Sequence, residues 1–183
     1  MITAAEAVSI VRTFDPAADG LARKSQELVL GLLTQSPAPF SRDQFAPGHI
    51  TCTALVFHPS APLVLMMHHH RLQRWLLPGG HVESTDLFLH AAAAREAEEE
   101  TCVQLDSAVA PRLAGIDVHG IPAKHGEPYH LHHDLIWAFR ARSGAIEVTS
   151  EAPEVIWAAE ADFDRLQIAD SIRLAVRRAG KLP

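Results

Sequence analysis

Arg95-Glu96-Ala97-Glu98-Glu99-Glu100-Thr101 closes an alanine-rich run that starts near Leu87, and the reading of this stretch decides the fold. Strong helix formers dominate from Leu87 to about Thr101, which makes this the best helix in the chain. At about 3.6 residues per turn, Glu96, Glu99 and Glu100 share one helical face, while Glu98 points elsewhere. Like charges at that spacing each cost roughly a few tenths of a kcal/mol on an exposed helix. A purely structural helix would gain by interleaving lysines. A helix that binds a hard cation keeps its carboxylates, because Mg2+ and Mn2+ prefer oxygen ligands. Taken alone, the acidic run reads more readily as a solvated face.

The upstream sequence reverses that balance. Pro78-Gly79-Gly80 is a strong turn signal, and Ser84-Thr85-Asp86 offers N-cap chemistry for the helix. Ala91, Ala92, Ala93, Ala94 and Ala97 give the helix small side chains, so it can pack closely on a sheet. A glycine loop entering a helix that ends in three same-face glutamates suits a metal and a diphosphate.

Working outward, strands are predicted at Ile50–Phe57, Leu63–Met67, Arg112–Val118, Leu131–Ala141 and Val155–Ala158, the first two as a hairpin through His58-Pro59-Ser60-Ala61. Helices are predicted at Ala4–Phe14, capped by Thr3, and over Asp170–Arg178. An amphipathic segment runs up to Thr34, with Leu21, Leu28, Val29, Leu32 and Leu33 near helical spacing. The mixture implies a layered α/β (α+β) domain. The texture change near His49 suggests an N-terminal helical extension over 1–46 and a main domain over 47–183.

The net charge of −6 argues against a general nucleic-acid binder but not against a small anionic ligand, whose charge a metal can meet. Cys52 and Cys102 have no zinc or disulfide spacing and fit reduced thiols in the cytoplasm. The start Met1-Ile2-Thr3-Ala4-Ala5-Glu6 has no signal-peptide pattern, and no apolar run is long enough for a membrane span.

Gly80 to Val103 resembles the Nudix box, G-x5-E-x7-R-E-U-x-E-E-x-G-U with U a bulky apolar residue, and Leu76–Glu83 resembles its usual approach. Arg95, Glu96, Glu99, Glu100 and Val103 match position by position. The departures are Asp86 for the first box glutamate, one extra residue between Asp86 and Arg95, Cys102 for the box glycine, and a small Ala97. Because cysteine tolerates a left-handed conformation poorly, the helix is expected to end differently. The run Asp117–Ala123 followed by Glu127–Asp134 resembles a subgroup of such enzymes.

The resemblance implies a Nudix-like α/β/α sandwich with a mixed sheet. It also implies a hydrolase dependent on Mg2+ or Mn2+ that cleaves a phosphoanhydride bond of a nucleoside diphosphate linked to another moiety. Glu96, Glu99 and Glu100 would hold metal, with Glu99 and Glu100 catalytic. Arg95 would hold a carboxylate in place, and Asp86 would do the same from the loop side. Gly79 and Gly80 would make a tight turn that places the ligands. The general base would be a box glutamate or Glu151 from a later loop, with Glu154 behind it.

Among the 12 histidines, His130 and His132 share a strand face, His133 takes the other, and His119 can join them if its strand is adjacent. This group could reach a phosphate or an ion. Zinc is not favoured, since it needs three or four ligands at fixed geometry. Trp75 and Tyr129 could stack on a base, or simply pack, and Arg71 and Arg74 could grip a phosphate. Two alternatives stand beside the hydrolase: a nucleotide sensor with a degenerate box, and a prenyl diphosphate isomerase, which needs a reactive cysteine. A small diphosphate is the expected partner, without nucleic-acid polymer or membrane, and a homodimer is possible.

Overall fold

The computed structural model describes residues 2–70, 72–124, 126–150 and 152–180. In chain order they form α1 (Ala4–Thr13), α2 (Gly20–Gln35), β1 (His49–Phe57), β2 (Leu63–His69), β3 (Arg74–Leu76), β4 (Gly79–His81), α3 (Leu89–Thr101), β5 (Arg112–Ile121), β6 (His130–Arg140), β7 (Glu154–Ala159), a 3-10 turn at Glu160–Asp162, and α4 (Asp170–Ala179). One mixed sheet runs β3-β2-β1-β6-β5, with β4 also paired to β1 and β7 to β2.

β1 is the centre of the molecule. It runs parallel to β6 and antiparallel to β2 and β4. Both its faces are covered, which explains why Ile50–Val56 reads as a nearly continuous apolar run. On one face Ile50, Cys52, Ala54 and Val56 join Leu135, Trp137 and Phe139 of β6 beneath α1, α2 and α3. On the other, Leu55, Ile136, Ala138 and Met66 meet Phe163 and the Ile172, Ala175 and Val176 stripe of α4. The arrangement is the expected α/β/α sandwich.

The N-terminal helices contribute Val11, Val29, Leu32 and Leu33 to the same core as β1 and α3. Thr3 caps α1 through a reciprocal pair with Glu6, and Asp19 caps α2. Arg178 of α4 reaches Asp19 at 2.7 Å and lies 5.3 Å from the Phe14 ring, fastening the last helix to the first two. Leu21 and Leu28 do not join the buried face of α2. The burial stripe is Ala22, Ser25, Val29, Leu32 and Leu33.

Two expectations about α3 are corrected. The helix begins at Leu89, its N-cap Phe88 makes no side-chain cap bond, and Ser84–Asp86 lies upstream. Asp86 instead accepts the Glu83 N–H at 2.8 Å. Leu87 and Phe88, between Asp86 and the helix start, are exposed. At the other end Cys102 takes the left-handed conformation, φ 53° and ψ 18°, and its N–H reaches Glu98 O at 3.0 Å. The helix therefore stops as it would with glycine, at the steric cost of a Cβ. Cys102→Gly should stabilise the protein by about 0.5–1 kcal/mol, relief of that strain being partly offset by a freer unfolded chain. Urea denaturation with an unchanged slope and a higher midpoint would show it.

Candidate active site

β4 carries Gly79 and Gly80 between the sheet and α3. Sequence reasoning expected a tight turn there, yet Cys52 pairs with Gly80 and Thr53 with Gly79 in an antiparallel ladder. Neither glycine has positive φ. Glycine is needed for close approach instead. A Cβ on Gly79 would lie 2.7 Å from Thr53 Oγ1, and one on Gly80 would lie 2.5 Å from Glu96 Oε1. The Gly79 N–H donates to Glu100 Oε2 at 2.9 Å, so the strand backbone holds one box carboxylate directly.

Arg95 organises the rest. Its Nε and Nη2 reach the two oxygens of Asp86 at 3.3 and 3.2 Å, and Nη2 also donates to His81 O at 2.9 Å. Nη1 donates to Glu96 Oε1 at 3.0 Å and Glu99 Oε2 at 3.1 Å. Burial alone would lower the Arg95 pKa, but Asp86 and Glu96 hold it above the ordinary arginine value. Burial pushes the Glu96 carboxyl up, against the pull of Arg95 and with help from the charges of Glu99 and Glu83. Glu100 is buried, whereas Glu99 is largely exposed and leans on Arg95, and Glu98 is exposed. The side chains that Glu96, Glu99 and Glu100 offer are carboxylates, and Glu96 is half-buried beside Arg95. That donor set fits Mg2+ or Mn2+.

The later loop approaches the same helix end. Thr149 Oγ1 donates to Glu100 O at 2.9 Å, and the Glu147 N–H donates to Thr101 O at 2.9 Å. Glu151 and Arg71 lie outside the described residues. Glu154 is the exposed first residue of β7. Trp75 packs on the α4-side core with its ring 5.3 Å from His68, and Tyr129 is exposed. Cys52 is fully buried, and burial raises its thiol pKa well above the ordinary value, so it is no ready nucleophile.

His49, His81, His119, His130 and His132 lie on the opposite face of the sheet from α3. His119 pairs with His132 across β5 and β6, so the expected adjacency holds, and the His130 and His132 rings are 5.3 Å apart. His133 is buried on the other face. The convergent set, however, is His49, His81 and His132, each of which has a nitrogen within 4.8 Å of the others. His49 and His81 were missed because β4 was read as a turn and the parallel register of β1 on β6, which aligns His49 with His132, is invisible to local pattern. Among the described residues, the glutamates form no such convergent group. Beside the cluster, Thr51 and Thr53 donate to the buried Asp134 at 3.0 and 2.9 Å.

Burial, then neighbouring imidazoles, lowers His81 to about 4 and His132 to about 2. Burial lowers His133 to about 4 and also depresses His49. The unfolded chain takes up these protons near 6.5, the folded one only well below, so acid favours unfolding. His119 has the opposite sign, since Asp117 outweighs burial and raises it, but it stands against several depressed neighbours. In EDTA-treated protein the melting temperature should hold above about pH 7 and fall as pH drops from about 6.5 towards 4. Melts that stay flat across that window would contradict the burial of neutral imidazoles.

A sequence profile described as the NUDIX domain matches residues 47–178. Among solved structures, the chain is similar to the NUDIX domain of Shewanella oneidensis NrtR, complexed with ADP ribose, at 19% identity and TM-score 0.53 over 72% of this chain and 86% of that one. It is also similar to a NUDIX hydrolase from Nitrosomonas europaea, at 16% identity and TM-score 0.52 over 72% and 89%. A NUDIX hydrolase described from Listeria monocytogenes gives 20% identity and TM-score 0.52 over 70% and 90%. At these identities the likeness is one of fold. No curated protein matches the chain. With the profile covering most of its length and the box arginine and glutamates assembled against β4, the chain belongs to the NUDIX hydrolase family.

Proposed function

We propose that the chain hydrolyses a phosphoanhydride bond of a nucleoside diphosphate linked to another moiety, with Mg2+ or Mn2+ held by Glu96, Glu99 and Glu100. The observation that carries this reading is the carboxylate face of α3 held against β4, with Arg95 bonded to Glu96 and Glu99 and the Gly79 N–H bonded to Glu100. A bound divalent cation supplies charge neutralisation and lowers the pKa of its water.

The chain's own residues do the positioning. Arg95 keeps Glu96 and Glu99 oriented while Asp86 and His81 O keep Arg95 oriented. The Gly79 N–H fixes Glu100. The proton of the attacking water goes to a carboxylate, either the exposed Glu99 or Glu151. The ADP ribose held by the NrtR domain is a compound of the proposed class.

The free thiols Cys52 and Cys102 fit action in the cytoplasm. Among the described residues no helix is long and apolar enough to cross a membrane. The buried Cys52 weakens the isomerase alternative. The sensor alternative rests on the altered box glycine and the extra residue, and of these Cys102 takes the glycine's conformation anyway.

The test is a panel of nucleoside diphosphate derivatives assayed with each metal for release of a nucleoside monophosphate. Glu100→Gln should lower kcat by at least about 100-fold while the exposed Glu98→Gln leaves it unchanged. Equal rates in wild type and Glu100→Gln would remove the site assignment. Tight nucleotide binding by calorimetry, without turnover, would favour the sensor. Gly80→Ala pushes a Cβ into the Glu96 carboxylate, so kcat should fall by more than about tenfold with KM changing less. A change in KM alone would mean that Gly80 serves substrate binding instead.

A further inference from the structure

Three strands deliver imidazoles to one point on the face away from α3. His49 opens β1, His132 aligns with it on β6, and His81 ends β4 opposite Thr51. Their ring centroids are 4.9 to 5.4 Å apart, and one nitrogen of each lies within 4.8 Å of the others. A tetrahedral zinc with bonds of roughly 2.0–2.1 Å needs ligand nitrogens about 3.4 Å apart. Small side-chain rotations reach that geometry.

The hydrogen bonding shows which nitrogens are offered. His49 is fully buried, and its Nδ1 lies 3.2 Å from Gln44 O, so Nδ1 carries the proton and Nε2 presents a lone pair. That Nε2 is buried without a hydrogen-bond partner. A buried acceptor left unsatisfied is costly, and native structures rarely keep one without a reason. The neighbouring His130 repeats the arrangement, with Nδ1 2.8 Å from Pro128 O and its ring 5.1 Å from that of His49. A backbone carbonyl on one ring nitrogen is how proteins set the tautomer and orientation of a metal-binding histidine. A cavity of about 50 Å³ opens beside the trio and is lined by Arg42, Lys124, Glu127 and His130 among others.

We infer that His49, His81 and His132 form a second metal site, of the Zn2+ class, separate from the carboxylates of α3. Its nitrogen donors suit a borderline ion, whereas the oxygen donors on the helix suit Mg2+ or Mn2+. The cavity beside the trio carries His130, Arg42 and the Lys124–Glu127 ion pair, closed at 2.7 Å. His81 directly follows Gly80, so an ion here also braces the strand that holds the box glycines. This inference does not depend on hydrolysis.

The test titrates chelator-treated full-length protein with Co2+, read by visible absorption, and with Zn2+ against a chromophoric chelator. Wild type and Glu100→Gln should each bind one equivalent, with the melting temperature raised by Zn2+. His81→Ala and His132→Ala should weaken binding by at least roughly tenfold and lose the thermal shift. Circular dichroism checks folding, and His81→Ala decides if His132→Ala does not fold. Two results would overturn the site. One is the absence of stoichiometric Zn2+ binding, which leaves water or a substrate group as what the orphaned His49 nitrogen meets. The other is Zn2+ binding abolished by Glu100→Gln and retained in His81→Ala.

Discussion

The bidentate pairing of Arg95 with Asp86 is the interaction on which the site depends. Asp86 is buried and Arg95 mostly so. Removing one partner of such a pair leaves a buried charge unmet, at about 3–5 kcal/mol. The same guanidinium also binds His81 O, Glu96 and Glu99. One side chain thus ties the loop after β4, the strand β4 and the face of α3. Asp86 is one carbon shorter than the box glutamate, and one extra residue separates it from Arg95. The departure in length leaves the pairing intact.

That pairing works because β4 is thin. With Cβ atoms on Gly79 and Gly80, Thr53 and Glu96 could not stay where they are. The strand is a sheet of backbone between two chemistries. The Gly79 N–H bonds Glu100 and Gly80 lies against Glu96, while the next residue, His81, sends its side chain to the histidine face. The alternation of a strand therefore separates an oxygen-rich surface from a nitrogen-rich one within three residues.

Much of this was legible in the sequence because it is local. Helical period put Glu96 and Glu99 within reach of one arginine, Arg95, and the alanines of α3 announced its close packing on β1. The long strands β1, β5 and β6 declared themselves by β-branched and apolar runs. What stayed hidden was set by contacts distant in sequence. The three residues of β4 are too few and too rich in glycine to signal a strand; only pairing with β1 makes them one. The left-handed Cys102 runs against its own steric preference, and the buried packing of Thr101 and Val103 on either side fixes the turn. The histidine trio needs a parallel register spanning the chain from His49 to His132. The pairing of His119 with His132 was within reach because the two strands are neighbours in sequence.

The central claim is that the carboxylates of α3 collect a divalent cation against β4. Substoichiometric Mn2+ added to isotopically labelled protein would test it by paramagnetic broadening of the amide spectrum. The account predicts that Gly79, Gly80 and the α3 turn from Glu96 to Thr101 broaden first, with Ile172–Val176 of α4 untouched. Broadening centred on the histidine face, or spread evenly over the acidic surface, would contradict it.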